Sequence, residues 1–131
     1  MREKLEKLLN NSYAKYSKYR VSAICVMKDG KEIPGVNVEN ASYGATICAE
    51  RVAITSAVTL GYKKGDFNEL HVMVDSDKLG MPCFMCRQVI CEFFDQEDKV
   101  FVYSRDNMES FKVKEICPFP FTEDNLWKVE W

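Results

Sequence analysis

Three cysteines and one glutamate are spaced so that together they can hold and use a zinc ion. Cys48 stands two residues before Glu50, and Cys83 and Cys86 form a Cys-x-x-Cys pair directly after Pro82. Structural zinc sites usually take four Cys or His ligands, whereas catalytic sites take three and keep the last position for water or substrate. With no well-placed fourth ligand, the pattern predicts a catalytic zinc site, and Glu50 can sit beside a metal-bound water without binding the metal.

The chain contains a single histidine, His71, which is the other residue type that zinc commonly takes. It lies in a predicted strand and lacks ligand spacing, so we do not expect it to join the cysteines. The competing interpretation is a noncatalytic module in which zinc only stabilises the fold. That alternative requires a fourth protein ligand and gives Glu50 no role.

Four segments of the chain carry a recognisable order and spacing. They are residues 16–21 (YSKYRV), 37–43 (NVENASY), 48–51 (CAER) and 82–88 (PCFMCRQ). A lone Cys-x-x-Cys would be weak, but together the segments are specific, and they resemble the cytidine deaminase family along nearly the whole chain. The resemblance implies the small class with three cysteine ligands, whose members carry one zinc ion per subunit and assemble as homotetramers.

The activity that this resemblance implies is hydrolytic deamination of cytidine and deoxycytidine to uridine and deoxyuridine, a step of pyrimidine salvage. In zinc deaminases, a glutamate that does not bind the metal acts as general acid and base. Glu50 matches it, and would pass a proton from water to ring N3 and later to the departing amino group. Ammonia is the second product.

The resemblance also implies which residues contact a nucleoside. They are Asn37 and Glu39 at the ribose 3′-hydroxyl, the backbone N–H of Ala49 at ring O2, Tyr19 on the base, and Phe121, which in small family members reaches into a neighbouring subunit's site. From composition alone, Asn37 and Glu39 are as well explained by the solvated face of an edge strand. Ordinary packing is the alternative for the two aromatic residues.

Two arginines adjoin the cysteine segments, Arg51 after Glu50 and Arg87 after Cys86. A zinc ion with three thiolates has a net charge of −1, which a neighbouring cation offsets. By resemblance both arginines hydrogen-bond the thiolates, and partners of this kind tune a metal site. The alternative is that each is a solvated surface residue, as arginines usually are.

The chain departs from the family pattern at two places. Phe84 and Met85 separate the two helix cysteines where small residues are common, and Phe119 precedes Pro120 and Phe121 where Pro-Gly-Ala-Phe is usual. Larger groups can narrow the pocket or reshape a subunit contact. A cytosine-containing antibiotic such as blasticidin S is therefore an alternative substrate.

Length and composition limit the remaining possibilities. The 131 residues suit one catalytic domain over 1–131, and a net charge of −2 without a long basic run argues against a nucleic-acid partner. Apolar runs fall short of the roughly 20 residues of a membrane helix, so no membrane partner is expected. The charged N-terminal segment is unlike a signal peptide. We therefore expect a cytoplasmic protein in which Cys25, Cys91 and Cys117 are small buried hydrophobic residues.

These site residues need elements to position them, and hydrophobic periodicity predicts those elements. Helices are predicted over 2–16, 47–60 and 83–94, and strands over 21–27, 35–40, 69–75, 100–103 and 110–113. A turn at Gly30 joins the first two strands, Gly61 ends the second helix, and the C-terminus forms a docked tail. The alternation predicts an α/β fold, a three-layer α/β/α sandwich; the resemblance adds a mixed sheet of about five strands.

Overall fold

The computed structural model describes residues 1–126 and contains one five-stranded sheet with helices on both faces. In chain order the elements are α1 (Arg2–Leu9), β1 (Val21–Met27), β2 (Glu32–Val36), α2 (Ala49–Thr59), β3 (Phe67–Val74), α3 (Phe84–Phe93), β4 (Lys99–Tyr103), β5 (Met108–Lys112) and α4 (Val113–Ile116). Short 3₁₀ turns lie at Tyr43–Ala45 and Glu123–Asn125. None of the helices in this described part has the length and apolar character needed to cross a bilayer.

The strands lie in the order β2-β1-β3-β4-β5. The pair β3 and β4 is parallel, and the other three pairs are antiparallel. Parallel neighbours need a crossover connection rather than a hairpin, and α3 supplies it between β3 and β4. The predicted mixed sheet of five strands is confirmed.

Two hydrophobic layers hold the helices on the sheet. One face of the sheet packs against α2 and α3, and this larger core contains Ala23, Cys25, Leu70, Val72, Val100, Val102, Ala53, Ile54, Ala57 and Ile90. On the opposite face α1 places Leu5 and Leu9 against Ile24, Met73 and Tyr103. The three-layer α/β/α arrangement is therefore confirmed.

The helix α2 approaches β2 unusually closely at Gly35. A Cβ atom at this position would lie 2.5 Å from the carbonyl oxygen of Ala49 and 2.5 Å from the backbone nitrogen of Ala53. Because both contacts are backbone atoms, no side-chain rotation can relieve them. A residue without a side chain in this strand lets the start of α2 rest on the sheet.

The first helix is shorter than predicted, since α1 ends at Leu9 rather than near residue 16. Tyr13 shares the apolar spacing of the helix, but it pairs as an extended residue with Val38. The backbone N–H of Tyr13 donates to Asn37 O at 3.0 Å, and Glu39 N donates to Tyr13 O at 2.9 Å. These bonds to a distant segment replace helical ones, so local periodicity was a poor guide here.

The second strand is shifted toward the turn, and occupies Glu32–Val36 rather than 35–40. Beyond Val36 the alternative of a solvated polar face is wrong for Asn37, because the polar Asn37 is 7% exposed and the apolar Val38 is 43% exposed. The side chain of Asn37 hydrogen-bonds the backbone of Val21 and Tyr19, at the start of β1 and just before it. These side-chain bonds stand where backbone bonds between the two strands would otherwise continue. Val38 instead bridges to Tyr13 and Ile47.

The remaining elements agree with the sequence within a few residues. Gly30 has φ +88° in the turn before β2. Gly61 has φ +102° and directly follows Leu60, the C-cap residue of α2. Both are left-handed conformations that glycine adopts without a Cβ penalty. The weak strand predicted near residue 110 is β5, at the edge of the sheet.

The three cysteines outside the predicted zinc site behave differently from one another. Cys25 is fully buried in the core, as expected. Cys91 and Cys117 are half-buried and joined as a disulfide that links α3 to the segment after α4. The expectation that each would be an isolated buried residue is wrong for this pair, which lies 26 residues apart in the sequence.

Candidate active site

The cysteines of the predicted zinc site come together at the starts of two helices. Cys48 is the N-cap residue of α2, Cys83 is the N-cap residue of α3, and Cys86 lies in the first turn of α3. Their sulfur atoms all lie within 4.8 Å of one another. Helix N-termini carry partial positive charge and so stabilise thiolates there. The group holds no carboxylate or imidazole from the described residues, so it offers three ligands.

A hydrogen bond between two of the thiols moves their pKa values in opposite directions. A hydrogen bond from Cys86 lowers the pKa of Cys48 to about 5, and Arg51 acts in the same direction. That bond raises the pKa of Cys86, and burial adds to the effect. A metal that binds all three sulfurs as thiolates must therefore displace the proton held by Cys86.

Glu50 lies beside the cysteines without being one of their group. It is the second residue of α2 and is 4% exposed. Burial raises the pKa of Glu50 to about 7, and the negative charge on Cys48 acts in the same direction. A carboxyl group with this pKa can both take up and release a proton near neutral pH, as a general acid and base must.

A cavity of about 280 Å³ opens onto Glu50 and two of the cysteines. Its lining is Ser17, Tyr19, Val21, Asn37, Glu39, Thr46, Cys48, Ala49, Glu50, Val72, Val74, Gly80, Met81 and Cys83. The volume is close to the lower end for small-molecule pockets. Thus the structure brings the predicted metal ligands, proton carrier and four of the five predicted nucleoside contacts to one place.

The polar side chains at the mouth of this cavity are already partly engaged. Asn37 accepts from Val21 N at 2.9 Å and from the Ser12 hydroxyl, and its Nδ2 donates to Tyr19 O at 2.8 Å. Among residues 1–126 the amide therefore keeps one N–H without an acceptor. Glu39 accepts from the backbone N–H groups of Tyr16 and Ser17, each at 2.9 Å, and from the Ser17 hydroxyl. These bonds, that of the Ser17 hydroxyl first, lower the pKa of Glu39 and keep it charged.

Comparison with known proteins shows which family has this arrangement of residues. The family model for the "Cytidine and deoxycytidylate deaminase zinc-binding region" matches residues 1–104 of the 131. The chain belongs to this deaminase family. A cytidine deaminase from Halalkalibacterium halodurans is 37% identical over 116 residues, which cover 88% of this chain and 86% of the relative. The crystal structure of cytidine deaminase from Burkholderia pseudomallei has a TM-score of 0.87 and 35% identity, covering 91% of this chain and 94% of that one.

A more distant relative bears on the alternative substrate. A blasticidin-S deaminase from Bacillus cereus is 29% identical over 116 residues, which cover 82% of this chain and 81% of the relative. The predicted family and fold are confirmed by these comparisons together. The deaminase-family match names a zinc-binding region, and the three-sulfur group suits the ion. The protein accordingly carries one zinc ion per subunit.

The two arginines that the deaminase resemblance assigned to the thiolates are placed differently. Arg51 Nη2 donates to Cys48 Sγ at 3.5 Å. Its Nε is buried with no hydrogen-bond partner among residues 1–126. Arg87 donates instead to Pro82 O at 2.7 Å and to Ile116 O at 2.9 Å. Arg87 thus fixes the backbone next to the metal segment rather than a sulfur.

The C-terminal tail of the deaminase chain is anchored along α3. Gln88 Nε2 donates to Phe121 O at 2.9 Å, next to the bonds of Arg87 and the disulfide of Cys91 with Cys117. The side chain of Phe121 is 56% exposed, and Phe121 does not line the cavity of its own chain. The structure therefore brings Phe121 close to α3 but not to Glu50.

Sequence reasoning missed Gly80, which lines the cavity next to Tyr19. The one available signal was a glycine in the loop leading to Cys83. Ser17 lies in the segment 16–21 that carries part of the family resemblance, but its bonds to Glu39 were not predicted. The structure places His71 away from the sulfur group, in a buried position 2.9 Å from the Tyr103 hydroxyl.

Proposed function

We propose that this protein catalyses the hydrolytic deamination of cytidine and deoxycytidine, releasing ammonia and the corresponding uracil nucleoside. The observation that carries the proposal is the buried Glu50 carboxyl group in the wall of the cavity that also exposes Cys48 and Cys83. Bound zinc would supply the Lewis acidity that makes water a nucleophile near neutral pH. Cys48, Cys83 and Cys86 would hold the ion.

The chain's own residues divide the remaining work. Glu50 takes one proton of the attacking water and delivers it to ring N3 as the oxygen adds at C4. It then moves the remaining proton of that oxygen to the departing amino group. The water oxygen becomes the C4 carbonyl, and the C4–N bond breaks. The first N–H groups of α2 have no intrahelical partners, so the N–H of Ala49 is free to donate to ring O2. Tyr19 packs on the base.

Asn37 and Glu39 are proposed to bind the ribose 3′-hydroxyl. The free N–H of Asn37 donates to the hydroxyl oxygen, and a carboxylate has enough lone pairs to accept its hydrogen beyond the bonds that Glu39 already makes. A polynucleotide is disfavoured, because a 3′-phosphate would place a second negative group against Glu39. A nucleoside with a free 3′-hydroxyl fits this pair.

An ultraviolet assay with a nucleoside panel tests the proposed function directly. We expect cytidine and deoxycytidine to be converted with clearly higher kcat/KM than blasticidin S, and a zinc chelator to remove the activity. Blasticidin S as the best substrate would instead favour the antibiotic alternative. Absence of turnover with every cytosine compound, by protein that contains zinc, would favour the noncatalytic zinc module.

The substitution Glu39→Gln tests the ribose contact. We expect kcat/KM for cytidine to fall by about 10- to 100-fold, because a hydrogen bond to a charged group is lost from a desolvated site. Activity with 3′-deoxycytidine and with free cytosine, which lack the hydroxyl, should fall much less. If Glu39 only orders Tyr16 and Ser17, all three compounds will be affected equally, and that result would remove the proposed ribose role.

The assembly proposed for this chain is the homotetramer of the small deaminases. Three aromatic side chains support it by their exposure, since Phe84, Phe119 and Phe121 are 77%, 100% and 56% exposed in the single chain. Where exposed apolar side chains form one contiguous patch, that patch marks a protein contact surface. Phe121 would then complete the site of a neighbouring subunit. We also propose a cytoplasmic location, on the ground that Cys48, Cys83 and Cys86 are free thiols, as ligation of a metal requires.

A further inference from the structure

Gly80 lies in the loop that joins β3 to α3, and its missing side chain leaves room for Tyr19. A Cβ atom built at Gly80 would lie 2.2 Å from the Tyr19 hydroxyl oxygen and 2.8 Å from Cγ1 of Val74. Gly30, Gly61 and Gly65 have positive φ and open space around a hypothetical Cβ. Gly80 differs from these three glycines, because its φ is not positive and a Cβ atom would have no space. Packing rather than backbone conformation therefore requires glycine at this position.

The tyrosine that fills this space faces the cavity. Tyr19 and Gly80 both line it together with Glu50. Tyr19 as a whole residue is 45% exposed, and within residues 1–126 its hydroxyl makes no hydrogen bond. No polar partner therefore fixes the phenol group. Its oxygen lies in the space that a side chain at residue 80 would occupy.

The loop on the other side of this contact has little freedom to move. Gly80 is three residues before Cys83, and Pro82 between them has a fixed φ. Arg87 Nε also holds the carbonyl oxygen of Pro82 at 2.7 Å. A methyl group at residue 80 would therefore displace the Tyr19 ring more readily than the metal segment. In a cavity of about 280 Å³, such a displacement removes space that a nucleoside needs.

We propose that Gly80 is a positioning residue, which acts by setting where the Tyr19 ring stands in the wall of the base pocket. This inference rests on the proposed nucleoside deaminase function. It identifies Tyr19 and Gly80 as a matched pair: the hydroxyl of a tyrosine at residue 19 requires that residue 80 carry no side chain.

The pair is tested with Gly80→Ala, Tyr19→Phe and the double variant. Gly80→Ala should lower kcat/KM for cytidine on the order of 10- to 100-fold, mainly through KM, because small displacements of positioning groups have effects of this size. Tyr19→Phe should cause a smaller loss. The double variant should be more active than Gly80→Ala, because phenylalanine lacks the oxygen that the methyl group meets. Such nonadditivity is expected of residues in contact.

Gly44→Ala is the matched control, since a Cβ at Gly44 meets no atom within 4 Å and its φ is not positive. It should behave as the parent does. Zinc content is measured for each variant, and must stay at one per chain in Gly80→Ala for the positioning role to hold. A double variant no more active than Gly80→Ala would overturn the proposal.

Failure of the underlying function gives a different result. If the zinc-loaded parent converts no cytosine nucleoside, the proposed function fails, and the positioning role fails with it. Coupling between the two substitutions in the free energy of unfolding would then show that the contact itself exists. With an active parent, coupling in unfolding but none in KM would mean that the contact is only structural, and would also overturn the proposal.

Discussion

Replacing Glu50 by glutamine is expected to leave a folded, zinc-containing protein that has lost nearly all turnover. Glutamine has the shape of glutamate but cannot take up or release the proton that the reaction moves. Positioned general acids and bases contribute about 10²- to 10⁴-fold in rate, so kcat for cytidine should fall by that factor. The substrate KM should change far less, because Glu50 is assigned to proton transfer rather than to ground-state binding.

The control for this substitution is Glu92→Gln. Glu92 lies on the exposed side of α3 and outside the cavity, so the same chemical change there should leave kcat unaltered. Both variants are compared with the parent by steady-state kinetics and by metal analysis. Parent-like turnover in Glu50→Gln would remove the proposed mechanism, whereas loss of zinc from that variant would show that Glu50 supports the metal instead.

Replacing Cys86 by alanine should abolish zinc binding and activity together. Cys86 is fully buried and supplies one of three sulfurs. Partners that only contact a ligand cost 10- to 100-fold in metal affinity when removed, so loss of a ligand itself should weaken zinc binding by more than about 100-fold. We expect less than one zinc ion per chain after dialysis, and no detectable conversion of cytidine.

Cys25→Ala provides the comparison, because Cys25 is equally buried in the core but is not one of the three clustered sulfurs. That variant should lose some stability through the small cavity it creates, yet keep zinc and turnover. The two substitutions thus separate damage to packing from damage to the metal site. Retention of one zinc ion and normal activity by Cys86→Ala would contradict the three-sulfur assignment.

The grouping of the three cysteines and the position of Glu50 beside them were predictable because their signal is local. Cys48, Glu50, Cys83 and Cys86 sit within the first turns of two helices, where spacing along the chain largely determines spacing in space. The sheet was predictable for a similar reason, since its buried strands are short apolar runs. The sequence therefore identified both the layers of the fold and the centre of the site.

Other features depend on contacts between distant segments, which a single sequence does not reveal. The bonds of Asn37 to Tyr19 and Val21 cross 18 and 16 residues and end the second strand early. The fit of Gly80 to Tyr19 requires knowing that a loop and a strand entry meet at the cavity. Arg87 could be placed near the metal segment, but its choice of Pro82 and Ile116 carbonyls depended on the course of the tail.

The ten-residue helix α3 has a practical consequence for anyone who shortens or fuses this chain. Its first turn holds Cys86, while Arg87 and Gln88 bind the carbonyl oxygens of Ile116 and Phe121. Cutting the chain before Ile116 would remove one hydrogen-bond acceptor of the Arg87 guanidinium. Arg87 directly follows Cys86, one of the three zinc ligands. A reporter domain is therefore best joined beyond Phe121, so that the bonds of Arg87 and Gln88 to the Ile116 and Phe121 carbonyl oxygens are both retained.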